Sequence, residues 1–182
     1  MAYTLRAVIA RCGVLGEPPA WIADSAVIPL PQGCCMVPVT DAVAYAFGPA
    51  DRPWLYETHS IFTHLPEGLV AHLRELSRGG RVAYVEAEYH GGDGEQRCIV
   101  WEDGAALGEP EESGYAINSA LGSLGVEAAE GVDRFDTLGL GRHRSVDDWL
   151  GDIRPSAAPS GPAPEPGPEP TPRPWWRFWR AG

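Results

Sequence analysis

The chain has 182 residues, 44% of them hydrophobic, and a formal net charge of -11. That size and apolar content allow one ordinary domain plus an appendage and exclude wholesale disorder. The charge is uneven: residues 1–150 carry 10 Arg against 22 Asp and Glu, whereas residues 151–182 carry 4 Arg against 3 acids. An acidic body repels phosphate backbones, so the folded part is expected to take a protein partner with a basic surface and no nucleic acid. All 14 basic residues are Arg, which reads as the codon bias of a GC-rich genome.

In chain order, residues 3–10 are apolar and β-branched enough for a first strand, with Gly13 and Gly16 ending it. Residues 7–10, interrupted by Arg11, are too short for a secretory leader, and Arg11 before Cys12 spoils a lipoprotein-like cleavage site. No apolar run approaches the ~20 residues of a transmembrane segment. These features set the expectation of a cytoplasmic protein. Cys12, Cys34, Cys35 and Cys98 lack CxxC or Cys/His ligand spacing and are expected as buried thiols in a reducing cytosol.

Residues 26–30 and 34–39 read as a short hairpin around Pro31-Gln32-Gly33, with Pro29 and Pro38 pushing it to a sheet edge. Thr40 can cap a short helix over 41–46, and residues 48–64 read as an irregular connection. Leu65, Leu69, Leu73 and Leu76 recur at helical spacing through 66–78, where Pro66 suits the first turn and Gly79-Gly80 a left-handed stop. Two strands follow, 82–90 and 95–101, joined by Gly91-Gly92-Asp93-Gly94. Ala83, Val85, Ala87 and Tyr89 share one strand face, and Val82, Tyr84, Glu86 and Glu88 share the other. A second helix begins at Ser113, presents Ile117, Leu121 and Leu124, and ends at Gly125. Residues 133–140 read as a mixed connector, and Ser145 can cap a short last helix.

The fold class that follows is α+β: a mostly antiparallel sheet with two or three helices packed on one face. The domain is expected over 1–150, a flexible Pro-rich linker over 151–174, and a Trp/Arg-rich terminal motif over 175–182.

Glu86 and Glu88 project from one face about 7 Å apart, and His90 continues the same parity. The three could divide acid and base roles or ligate a hard cation, or they could form a solvated, partner-binding face. Tyr84 and Trp101 are candidates for aromatic anchors at such a face. The glycine-rich turn joins two strands among acids, so hairpin geometry explains it better than phosphate binding. Arg142, with His143 and Arg144 after a glycine pair, can grip a carboxylate or phosphate or pair with the acidic body. No nucleophile elbow is present, and His59, His64 and His72 lack zinc-protease spacing.

Nine prolines fall between Pro155 and Pro174, which marks an extended, disordered segment. Beyond it stand Trp175, Trp176, Arg177, Phe178, Trp179 and Arg180, a mixture suited to a membrane interface or to a groove on a partner.

Four segments carry a resemblance: Leu73-Arg74-Glu75-Leu76-Ser77-Arg78-Gly79-Gly80, Glu86-Ala87-Glu88-Tyr89-His90-Gly91-Gly92, Ala116-Ile117-Asn118 and Leu138-Gly139-Leu140-Gly141-Arg142. Across residues 66–149 the chain resembles a group of small, uncharacterised actinobacterial α+β proteins, and in style it is similar to the immunity proteins of bacterial toxin systems. That resemblance implies a compact acidic domain without catalytic machinery, occluding a basic toxin or effector. The expected function is therefore non-enzymatic protein binding, with no cofactor and no metal. The alternatives are an adaptor tethered to a membrane or assembly by the Trp/Arg tail, and a metal-dependent enzyme using Glu86, Glu88 and His90.

Overall fold

The computed structural model describes residues 2–16, 25–48 and 61–152. His59, most of the linker and the 175–182 motif lie outside these residues. The chain runs through β1 (Ala2–Arg11), a helical turn α1 (Cys12–Leu15), β2 (Ile28–Pro29), a 3-10 turn at Pro31–Gly33 and β3 (Cys34–Pro38). Helices α2 (Asp41–Phe47) and α3 (Glu67–Leu76) precede a long hairpin, β4 (Val82–His90) and β5 (Asp93–Glu102). Short strands β6 (Ala105–Ala106) and β7 (Glu111–Glu112), helices α4 (Ala116–Ser123) and α5 (Arg134–Thr137), and 3-10 turns at Leu140–Arg142 and Asp147–Asp152 complete it.

The strands form one seven-stranded antiparallel sheet in the order β2-β3-β1-β4-β5-β6, with β7 also on β5. Pro29 lies on the edge strand, where its missing N–H interrupts no ladder. His90 pairs with Asp93, which leaves Gly91-Gly92 as a two-residue turn with φ of 65° and 104°. Positive φ at both positions is the reason for glycine there. Gly94 is required for space: a Cβ would collide with the Glu88 carbonyl and the Tyr89 ring.

Capping follows the side chains. The Thr40 hydroxyl accepts from the Val43 N–H at 3.3 Å, and Ser145 and Asp148 cap each other's backbone N–H at 3.1 and 3.3 Å. In the segment expected as a mixed connector, Asp133 accepts from the Asp136 N–H at 2.8 Å and starts α5.

The helices pack on both faces of the sheet, which corrects the expectation of one covered face. On one side Leu5, Ala7, Ile9, Ala83, Val85 and Ala87 meet α4 through Ile117 and Leu121, together with Leu138, Leu140 and Trp149. On the other, Val8, Ala10, Val82, Tyr84, Ile99 and Trp101 meet Val43 of α2 and Leu69, Val70 and Leu73 of α3. Both parities of β1 and β4 are apolar, so each strand has two faces to bury. Burying a leucine such as Leu69 or Leu73 contributes about 1.5–3 kcal/mol, which fixes α3 to the sheet.

A second correction concerns the cysteines. Cys12 and Cys35 form a disulfide with Cα atoms 4.7 Å apart, while Cys34 and Cys98 are free and buried. Cys34 and Cys35 do face opposite cores, as strand alternation requires. Pairing of Arg11 with Cys34 brings the end of β1 to the start of β3, and the turn after Arg11 carries Cys12 over Cys35. That cross-strand register does not show in cysteine spacing. Burial pushes the Cys98 thiol up to about 12, with the Glu111 carboxylate adding to the effect. Burial also raises Cys34, partly offset by Arg11. Both thiols are therefore poor nucleophiles.

The bridge spans a sequence separation of 23 residues, for which loop-closure entropy gives about 3 kcal/mol. Adding dithiothreitol, or replacing both Cys12 and Cys35 by Ser, is expected to lower the urea-unfolding free energy by about that amount. Identical unfolding curves with and without reductant would show that the bridge does not constrain the chain.

Candidate functional site

Cross-strand register aligns side chains of β1, β4 and β5 into rows on the α2/α3 face. Val8, Tyr84 and Ile99 form the last apolar row, and the next is Arg6, Glu86 and Arg97. Beyond it come Thr4, Glu88 and Glu95, then Ala2, His90 and Asp93. The face thus passes from dry core to charged rim within two residues, or about 7 Å.

Glu86 stands at that boundary and is only 3% exposed. Its Oε2 accepts from the Thr63 N–H and the Thr63 hydroxyl, each at 3.0 Å. Its Oε1 accepts from the His64 N–H at 2.8 Å and the Tyr84 hydroxyl at 2.7 Å. A buried carboxylate is tolerable when its lone pairs are filled this way. The Thr63 hydroxyl also lies 2.8 Å from His64 Nδ1. With that hydroxyl donating to Glu86, Nδ1 carries the imidazole proton and donates to Thr63. Glu86 therefore ties the segment before α3 onto the sheet.

Two guanidinium groups flank this carboxylate. Arg97 lies 3.9 Å from Glu86, 2.6 Å from Glu95 and 3.6 Å from Glu112. Arg6 donates to Asp41 at 2.9 Å. Between them is a cavity of about 210 Å³ lined by Arg6, Thr63, His64, Glu86, Glu88 and Arg97. Among the described residues the buried Nε atoms of Arg6 and Arg97 have no hydrogen-bond acceptor. With carboxylates opposing the guanidiniums, the cavity suits water or a neutral polar group better than a free anion.

The residues singled out from sequence separate here. Glu88 and His90 are joined at 3.2 Å with side chains 54% and 63% exposed, so they lie on the rim. Glu86 is buried and committed to four donors, so the three do not converge as a catalytic set. Among the described residues no group of three His, Cys, Asp or Glu is placed to hold a metal ion. Tyr84 and Trp101 are fully buried in the α2/α3 core, which corrects their role as partner-facing anchors. Tyr84 acts inward instead, with its hydroxyl also 2.9 Å from the His64 carbonyl. Arg142 sits on the opposite side of the sheet, stacked 4.4 Å over the ring of Trp149. Trp175, Trp176, Arg177, Phe178, Trp179 and Arg180 fall outside the described residues.

Arg6, Thr63, His64 and Arg97 belong to the site and were not singled out from sequence. Arg6 had a signal: an arginine on an otherwise apolar strand parity needs a partner. Thr63 and His64 had none, because their role is carried by backbone N–H groups. No family model, curated protein or solved structure matches the chain.

Glu86→Ala is expected to destabilise the domain by about 2–3 kcal/mol, because it leaves the partly buried Thr63 and His64 N–H groups and the Thr63 hydroxyl without their acceptor. Urea unfolding measures this, and a change below about 1 kcal/mol would remove Glu86 from its anchoring role.

Burial lowers the pKa of His64, with Arg6 acting in the same direction and Glu86, Asp41 and Glu88 opposing. Burial lowers that of His72 as well. Each ring binds a proton more readily in the unfolded chain, so its contribution is complete above the ordinary value of 6.5 and is lost as pH falls through the folded values. Unfolding free energy should therefore drop on acidification from about pH 7.5 to 5.5, and His64→Gln with His72→Gln should flatten that drop. An unchanged slope in the double variant would assign the drop to other groups.

Proposed function

We propose that this is a non-enzymatic binding protein that engages a basic protein surface through the charged end of its sheet, in the manner of an immunity protein. The observation that carries the reading is the exposed Glu88 and His90 beside Glu95 and Asp93, on rows that lie beyond the last apolar row. Glu112 extends this acidic rim toward β7. The net charge of the first 150 residues, 10 Arg against 22 Asp and Glu, points the same way. A rim of this kind accelerates encounter with a basic partner and sets orientation more than it supplies affinity. Because Glu86 is locked inside, the recognition charge falls to Glu88, Asp93 and Glu95.

Among the described residues no helix is long and apolar enough to cross a membrane. A cytoplasmic immunity role would keep Cys12 and Cys35 as thiols, whereas the disulfide belongs to an oxidising compartment. Acid quenching of cells followed by maleimide labelling in denaturant reads the redox state directly: modified Cys12 and Cys35 fit a reducing cytosol, and protection of both fits an oxidising compartment.

For the binding reading, the full chain and a Glu88→Gln, Glu95→Gln variant would be used as baits under low and high salt. A basic protein retained by the wild type, released by salt and bound up to about tenfold more weakly by the variant is the expected result. Equal affinity and equal salt dependence for both baits would remove this rim from the proposal.

A further inference from the structure

On the face opposite the charged rows, the same end of the sheet is aromatic. Tyr3 of β1, Tyr89 of β4 and Phe135 of α5 line a groove of about 520 Å³, with Gln96 and Arg144 as its polar walls. The Tyr3 ring centroid lies 6.4 Å from that of Tyr89 and 6.0 Å from that of Phe135. The rings are held in place by their polar ends. The Tyr3 hydroxyl donates to the Leu140 carbonyl at 2.9 Å, and the Gln96 amide donates to the Tyr89 hydroxyl at 3.1 Å. Gln96 is itself fixed by the Ile117 N–H, 3.2 Å from its carbonyl oxygen. The groove is therefore preformed, and its volume falls within the ~300–1,000 Å³ of sites that hold ring systems.

We propose that this groove receives the chain's own Trp175-Trp176-Arg177-Phe178-Trp179-Arg180 motif, docked in cis. Three observations select this occupant. The rings of Tyr3, Tyr89 and Phe135 pack against the same core that contains Trp149, so the 3-10 turn from which the tail departs lies on the face where the groove opens. The chemistry is complementary, since indole rings stack on tyrosine and phenylalanine edges and the Arg144 guanidinium can lie over an indole. Charge is complementary too. The body is acidic while the tail carries 4 Arg against 3 acids, and the exposed Asp136 follows the groove residue Phe135 in α5.

Length permits the contact. The 22 residues between Asp152 and Trp175 can span up to about 70 Å in an extended polyproline conformation, whereas a 150-residue domain has a radius of gyration of about 15 Å. A tether of this kind gives an effective concentration in the ~mM range, so even a weak groove contact is populated within one molecule.

The test uses amide and indole NMR signals of the full chain. Replacing Trp175, Trp176 and Trp179 by Ala is expected to shift the amides of Tyr89, Gly92, Gln96, Phe135 and Arg144, leaving α3 unmoved, with no change on tenfold dilution. In a separate full-length variant, Phe135→Ala should return the tail indole signals to their positions in an isolated 170–182 peptide. Groove amides identical in the wild type and the triple variant would overturn the proposal. Groove shifts that shrink on dilution would overturn it in favour of a second copy. Tail indoles already at their isolated-peptide positions, and moving only when phosphatidylserine vesicles are added, would overturn it in favour of a membrane contact.

Discussion

The Glu86 carboxylate accepts four hydrogen bonds at the line where the sheet passes from core to rim. Three of them come from Thr63 and His64, immediately before the helix whose leucines cover the sheet. The fourth comes from Tyr84, two residues back on the same strand face. A charge removed from water must be satisfied locally or it destabilises the fold. Satisfying this one aligns the approach to α3 with β4. The dry half of the face is thereby closed and the charged half left open, so the proposed recognition rim depends on a carboxylate that cannot itself reach a partner.

The architecture around that anchor is a sheet buried on two sides. Its central strands alternate, but both sets of alternate residues are apolar until the last rows. Ala7, Ala83 and Ala87 keep one face shallow, so α4 and Trp149 approach closely. Val8, Tyr84 and Trp101 fill the other. Two-sided burial explains why the opposite faces of the same sheet end differ so much. One finishes in carboxylates and arginines, the other in the half-buried rings of Tyr3, Tyr89 and Phe135. Two chemically distinct surfaces lie back to back on one set of strands.

Much of the fold was legible along the chain. The leucine spacing of α3, the Thr40 cap, the edge proline Pro29 and the Gly91-Gly92 turn are local signals, and each matches the element found, whereas Pro38 lies on β3, between β2 and β1. The short strands β6 and β7 lack one, because two-residue strands exist only through pairing with β5. For the site, strand parity placed Glu86, Glu88 and His90 on one face correctly. Parity does not report depth, however. Glu86 is buried because the segment before α3 folds over it, and Glu88 two residues later is exposed because nothing does.

By itself the sequence determined the antiparallel α+β class, the main element positions, the acidic body and the compositional break before the Trp/Arg motif. These are set by residues within a few positions of one another, through backbone propensity, side-chain alternation and fixed charge. Only the tertiary structure decided that helices cover both faces and that Cys12 meets Cys35. It alone decided that Tyr84 and Trp101 point into the core, that Arg6 and Arg97 bracket Glu86, and that Tyr3, Tyr89 and Phe135 open a groove. Each of those outcomes joins segments far apart in the chain. Their proximity is set by cross-strand register and by which face a returning segment covers, and neither is written in any local stretch of residues.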